Sequence, residues 1–109
     1  MQIAEKYRTK LKGKITLPSS INGFIPLTVG GANVFCADCE NITDIYFLSD
    51  ANYTEIGNSA LEGCRNLEKF HNMPETIRSF DTRAFANCSK LQMNKLPLNL
   101  EYIGIGCFA

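Results

Sequence analysis

The sequence predicts an α/β solenoid: a short right-handed stack of similar coils with parallel strands and short helical or 3-10 turns, after an atypical N-terminal segment. Two observations carry this expectation. Cysteine recurs at Cys39, Cys64 and Cys88, each followed three residues later by Ile42, Leu67 or Leu91. Downstream, Tyr53, Ile56, Gly57, Ala60 and Leu61 keep the spacing of Ile77, Phe80, Asp81, Ala84 and Phe85. Leu100, Ile103, Gly104, Cys107 and Phe108 repeat it again. A unit of 23–25 residues is too short to bury its own apolar face, so neighbouring units must stack to share a core. At 109 residues the chain is one domain with a modest core.

Residues 1–38 read as an atypical N-terminal strand and a degenerate first repeat with an insertion. Lys6, Arg8, Lys10, Lys12 and Lys14 alternate with Tyr7, Thr9, Leu11, Gly13 and Ile15. Period two marks a strand with one charged face, and lysines on such a strand guard a sheet edge against pairing. Leu17-Pro18-Ser19-Ser20-Ile21 fits part of a repeat. Asn22 to Val34 does not fit, and it puts about nine extra residues into the first coil, among them Phe24, Ile25, Pro26, Leu27, Val29, Gly30 and Gly31.

Residues 39–109 are the regular repeats. Each opens on its cysteine and enters a short strand, as in Leu67–His71, that can place alternate side chains inward and outward. Pro74 and Pro97 end the strand because proline cannot donate to a ladder. Gly57 and Gly104 suit a turn with positive φ, and Asp81 is tolerable there. The following segment, as in Ala84 to Cys88, is too short for a full helix and reads as a helical turn or 3-10 piece. Ala60 and Ala84 are small where coils crowd, while Leu61, Phe85 and Phe108 supply the core's bulk.

The run AFANCSKLQMNKLPLNLEYIGIGCF, residues 84–108, resembles the repeat of BspA-type leucine-rich repeat proteins, a variety also found in treponemal surface proteins. The resemblance covers residues 39–108 and is weaker over 15–38. It implies a leucine-rich-repeat stack, a cell-surface or secreted setting, a role in binding or adhesion, and no enzymatic activity.

Composition narrows the function classes. Eleven basic and eleven acidic residues cancel, so no global field points to nucleic acid or an anionic membrane. No run approaches the roughly 18 apolar residues of a membrane span, and the N-terminal MQIAEKYRTKLKGK has no apolar region of a signal peptide. Cys36-Ala-Asp-Cys39 is a C-x-x-C pair, able to serve as half a zinc site or as a redox pair. A closed zinc site needs four ligands, and the chain has one histidine, His71. The repeat cysteines fit better as a column of small apolar thiols, mostly reduced and without bonds. No cofactor is expected. Patterns for a nucleophile elbow, a zinc protease or a phosphate loop are missing. His71 stands at an outward strand position and reads as a solvated surface residue, and Glu62, Glu68 and Glu75 lie in different parts of one coil. Asn41, Asn52 and Asn87 match the glycosylation pattern, with a turn role the simpler account.

What remains is a surface. If Leu67 and Phe70 point inward, stacking aligns Asp44, Lys69 and Met93 in one outward column. Tyr46, His71 and Lys95 form a second. Solenoids use such stacked variable positions as an extended binding face. The sequence therefore reads as a non-catalytic binding or adhesion module for a protein or surface glycan. The alternatives are a thiol or metal protein centred on Cys36 and Cys39, and a structural spacer within a larger surface protein. The run ends just as another unit begins, leaving Leu91 and Leu96 uncovered, so a weak homodimer through the C-terminal coil is also expected.

Overall fold

The computed structural model describes residues 12–20, 23, 26–30 and 39–109. Most of the alternating basic run, from Lys6 to Leu11, lies outside the described residues, as do Phe24, Ile25, Gly31 and Cys36. The strands are β1 (Gly13–Leu17), β2 (Thr28–Val29), β3 (Ile42–Phe47), β4 (Glu55–Ile56), β5 (Lys69–His71), β6 (Ser79–Phe80) and β7 (Tyr102–Ile103). They form two parallel sheets, ordered β1-β3-β5 and β2-β4-β6-β7. The result is a parallel-strand solenoid of about three turns, whose last coil adds a strand, β7, to the second sheet alone.

The repeat spacing sets the register. Asp44, Ile45 and Tyr46 stand beside Lys69, Phe70 and His71, and beside Lys14, Ile15 and Thr16 on the other edge. In the second sheet, Val29, Ile56, Phe80 and Ile103 form one row across the stack. The sequence reading missed this second sheet. It took Asn22 to Val34 as foreign to the repeat, whereas Thr28 and Val29 pair with Glu55 and Ile56 in register. The signal was Val29-Gly30, which matches Ile56-Gly57. Lys14 lies exposed on β1, the edge strand of its sheet, as a solubilising lysine should.

The core fills the space between the sheets. Ile42, Ile45, Phe47, Ile56, Leu61, Leu67, Ile77, Phe80 and Phe85 are buried there with Ala60, Ala84 and Cys64. Aromatic rings run through it from coil to coil. Phe85 meets Phe70 at 5.5 Å, Phe80 at 5.0 Å and Phe108 at 5.3 Å. Such pairs add about 0.5–1.5 kcal/mol each beyond their burial. Tyr53 is buried too, with its hydroxyl donating to the Pro18 carbonyl at 2.8 Å, which satisfies its polar tip in the preceding coil.

The expected helical or 3-10 turns are absent among the described residues, where these segments are runs of interlocked turns. Ala60, Glu62 and Cys64 donate three residues back, to Gly57, Ser59 and Leu61. The intervening Ser59, Leu61 and Gly63 donate instead to Thr82, Ala84 and Ala86 of the next coil. Arg83, Phe85 and Asn87 repeat this with Ile105, Cys107 and Ala109. A helix would keep all these N–H groups inside one segment, but here every second one joins two coils. The chain achieves this with left-handed residues at Ser59, Arg83 and Gly106, and at Gly63 and Asn87. The expected left-handed sites, Gly57, Asp81 and Gly104, are not among them. Gly104 serves close approach instead: a Cβ there would lie 2.4 Å from the Thr82 backbone nitrogen.

Cysteine burial is as expected for Cys39 and Cys64, while Cys88 is half-buried. Cys64, Cys88 and Cys107 are free. Cys39, expected to carry no bond, is in a disulfide whose partner lies outside the described residues. With its sulfur so engaged, Cys39 is not a thiolate donor.

Candidate functional site

The outward side of the first sheet is built by strand alternation. Leu17, Ile45 and Phe47 are buried, so Lys14, Thr16, Asp44 and Tyr46 face away from the core. Lys69 and His71 flank the inward Phe70 in the next coil. Four of the six expected face residues, Asp44, Tyr46, Lys69 and His71, therefore share one sheet.

His71 keeps its outward position but is not simply solvated. Its Nε2 lies 2.8 Å from Asp44 Oδ1, and its ring stacks on Tyr46 with centroids 4.1 Å apart and planes 9° from parallel. Asp44 also accepts from the Thr43 hydroxyl, on Oδ2 at 2.8 Å. The bond from His71 holds the Asp44 carboxyl below its ordinary pKa, helped by Thr43 and by the charges of His71 and Lys14, against an opposing effect of burial. The group is thus an anchored anion beside a stacked ring pair, with Lys14 and Lys69 on its two sides in register. Thr16, Lys14 and Thr43 belong to this face, and the sequence columns omitted them. Once β1 is aligned with β3, the period-two pattern identifies Lys14 and Thr16.

Met93 and Lys95 do not continue the columns as strand residues. The Gln92 N–H donates to the Glu68 carbonyl at 2.8 Å, and after that bond the chain forms no strand with β5. Met93 is half-buried and Lys95 exposed, and both line a groove beside β5 with Lys69, Phe70, Met73 and Leu96.

Elsewhere, polar side chains brace one coil against the next. Arg83 Nη2 pairs with Glu62 Oε2 at 2.9 Å, Thr28 Oγ1 donates to Glu55 Oε1 at 2.9 Å, and Asn66 Nδ2 donates to the Glu40 carbonyl at 2.6 Å. Among the described residues no group of three His, Cys, Asp or Glu side chains is placed to hold a metal ion. No helix among them is long and apolar enough to cross a membrane.

The model of the BspA type leucine rich repeat region (6 copies) matches residues 7–109. The chain belongs to the BspA-type leucine-rich repeat family. The fold agrees: the chain is similar to the crystal structure of the leucine-rich repeat protein of T. pallidum, with a TM-score of 0.66 at 20% identity. The similarity covers 86% of this chain and 52% of the treponemal chain, so this chain spans about half the length of that protein. No curated protein matches the chain significantly. Leucine-rich repeats of this family are in general non-enzymatic scaffolds that mediate interactions.

Proposed function

We propose that the chain is a non-catalytic binding module that engages a polypeptide partner through the outward face of the first sheet. The observation that supports it most is the ordered group Asp44–His71–Tyr46. Three polar or aromatic side chains are held in one geometry across two coils, with Lys14 and Lys69 beside them. Preorganised side chains lose little entropy on binding, and tyrosine is a frequent interface anchor. A protein is favoured over a surface glycan because Tyr46 stands in register between Thr16 and His71. The His71 ring already covers one flat face of Tyr46, so that face is not open for a sugar ring to stack upon. The family supports a cell-surface or secreted setting, and adhesion is one role consistent with such a face. The metal alternative centred on Cys36 and Cys39 loses support, because the Cys39 sulfur is in a disulfide and is not a free thiolate ligand.

The test is capture of solubilised cell-surface proteins by the immobilised chain, followed by the same capture with face variants. A partner held by the wild type should be lost with Tyr46→Ala and Lys14→Glu together. It should be kept with Arg78→Glu, an exposed change outside this sheet. Undiminished capture by the double variant would overturn the face.

A further inference from the structure

The first sheet stops at one residue, and the reason is chemical. Ile45 and Phe70 are neighbours in the inward row, and the repeat places Asn94 next in that row. Burying an amide among apolar side chains without a partner is unfavourable. Asn94 is accordingly exposed. The chain follows the ladder as far as Gln92, which donates to Glu68, and then leaves it. Between β5 and the departing run lies a groove of about 390 Å³, lined by Phe70, Met73, Met93 and Leu96 with Lys69 and Lys95.

Three features of this groove define an occupant. β5 is the last strand in its sheet, so its outer edge lies along the groove and can accept another strand. The apolar side chains that the missing row would have covered remain half-open: Phe70, Met73 and Met93 are only partly buried against the core. The charges are basic and uncommitted. Among the described residues the ion pairs are Arg65–Glu40, His71–Asp44 and Arg83–Glu62, which leaves Lys69 and Lys95 outside them. The groove's one carboxylate, Glu75, accepts the Leu98 N–H at 2.7 Å. A second copy seated about a two-fold axis would bring like lysines together, which disfavours it.

We infer that this groove takes an extended acidic segment of a partner protein, added as a strand to β5. This rests on the binding-module reading above. Alternate apolar side chains of the segment fill the row that Asn94 leaves, and acidic side chains between them meet Lys69 and Lys95. The strand period of two delivers both sets at once.

The probe is a capped peptide Glu-Val-Asp-Ile-Glu-Val-Asp, with Lys-Val-Lys-Ile-Lys-Val-Lys as its charge-reversed control. The readout is the methyl NMR signals of Met73 and Met93 in methionine-labelled full chain. The acidic peptide should shift both signals saturably, and the basic one should bind about tenfold more weakly. Lys69→Glu with Lys95→Glu should invert that preference. Asn94→Ile should let the strand close, abolish peptide binding and raise the thermal midpoint. No saturable shift with the acidic peptide, or the same preference in the charge-reversed chain, overturns the groove. Tyr46→Ala should leave peptide binding intact. Undiminished partner capture by the double face variant, with saturable peptide binding by the wild type, condemns the face alone, and capture lost in that variant with no saturable peptide shift condemns the groove alone.

Discussion

Asp44 and His71 lie in successive coils, so their bond contributes to the stacking of coils and not to the folding of either one. Because the Asp44 carboxyl is held below its ordinary value of 3.8, chiefly by His71, the folded state binds its proton less readily than the unfolded chain. That stabilisation is fully present above the unfolded value and disappears as pH falls through the lowered folded value. The thermal midpoint of the wild type should therefore drop more steeply on acidification below about pH 4 than that of Asp44→Asn. Parallel slopes in a pH series of melts would show that the bond does not stabilise the stack. The thiols give a second check. Burial pushes the Cys88 thiol up to about 11 and raises that of Cys107, and the Cys88 thiol donates to the Leu61 carbonyl at 3.2 Å. Since the thiolate is the reactive form, iodoacetamide at pH 8 should label Cys88 and Cys107 slowly in the folded protein and readily in denaturant. Rapid labelling of the folded protein would contradict this placement. Repeat spacing was enough to put His71 outward beside Tyr46. The bond to Asp44 is a diagonal across two strands, visible only once their register is known.

Each coil combines a strand that alternation makes legible with a turn run that it does not. The inward positions Leu67, Phe70 and Phe85 follow from apolar spacing alone. The turn run was read as helical because its spacing resembles one helical turn. Its N–H groups alternate between their own coil and the next, a choice set by residues such as Ser59 and Arg83 that give no left-handed signal of their own. The glycine prediction failed for the same reason. Gly104→Ala would drive a Cβ to 2.4 Å from the Thr82 nitrogen and 2.7 Å from the Asp81 carbonyl carbon, forcing two backbones apart at a cost of about 1–3 kcal/mol. Gly106→Ala meets the flexible Arg83 side chain at 3.4 Å and the Ala109 Cβ at 3.8 Å, and has a left-handed penalty of roughly 1–2 kcal/mol. Gly104→Ala should lower the thermal midpoint at least as far as Gly106→Ala. A silent Gly104→Ala would mean that the coils are not in close approach there. Phe85→Ala should be more severe still. Phe85 is 1% exposed and touches three other rings, so its loss costs about 3–5 kcal/mol. Lys69→Ala, on the outward face, should leave the melt almost unchanged, and equal midpoints for these two variants would refute the inward assignment.

At the scale of the whole molecule, the architecture was legible because the repeat unit forces stacking, whatever its local structure. The existence of two sheets was not, since a row of two-residue strands leaves too short a pattern to recognise in one sequence. The second sheet matters for assembly. Its last strand, β7, lies at the end of the order β2-β4-β6-β7, and the apolar residues around it are open. Leu98 is 81% exposed, Ile105 85% and Phe108 49%. An edge strand beside an open apolar rim favours association. Two copies meeting through it about a two-fold axis give the simplest closed arrangement. Sedimentation of this chain at high micromolar concentration should show a weak monomer–dimer equilibrium. Ile105→Lys should shift it to monomer without lowering the melt, because that side chain is nearly free of the core. A wild type that sediments as monomer throughout would refute association through this apolar rim.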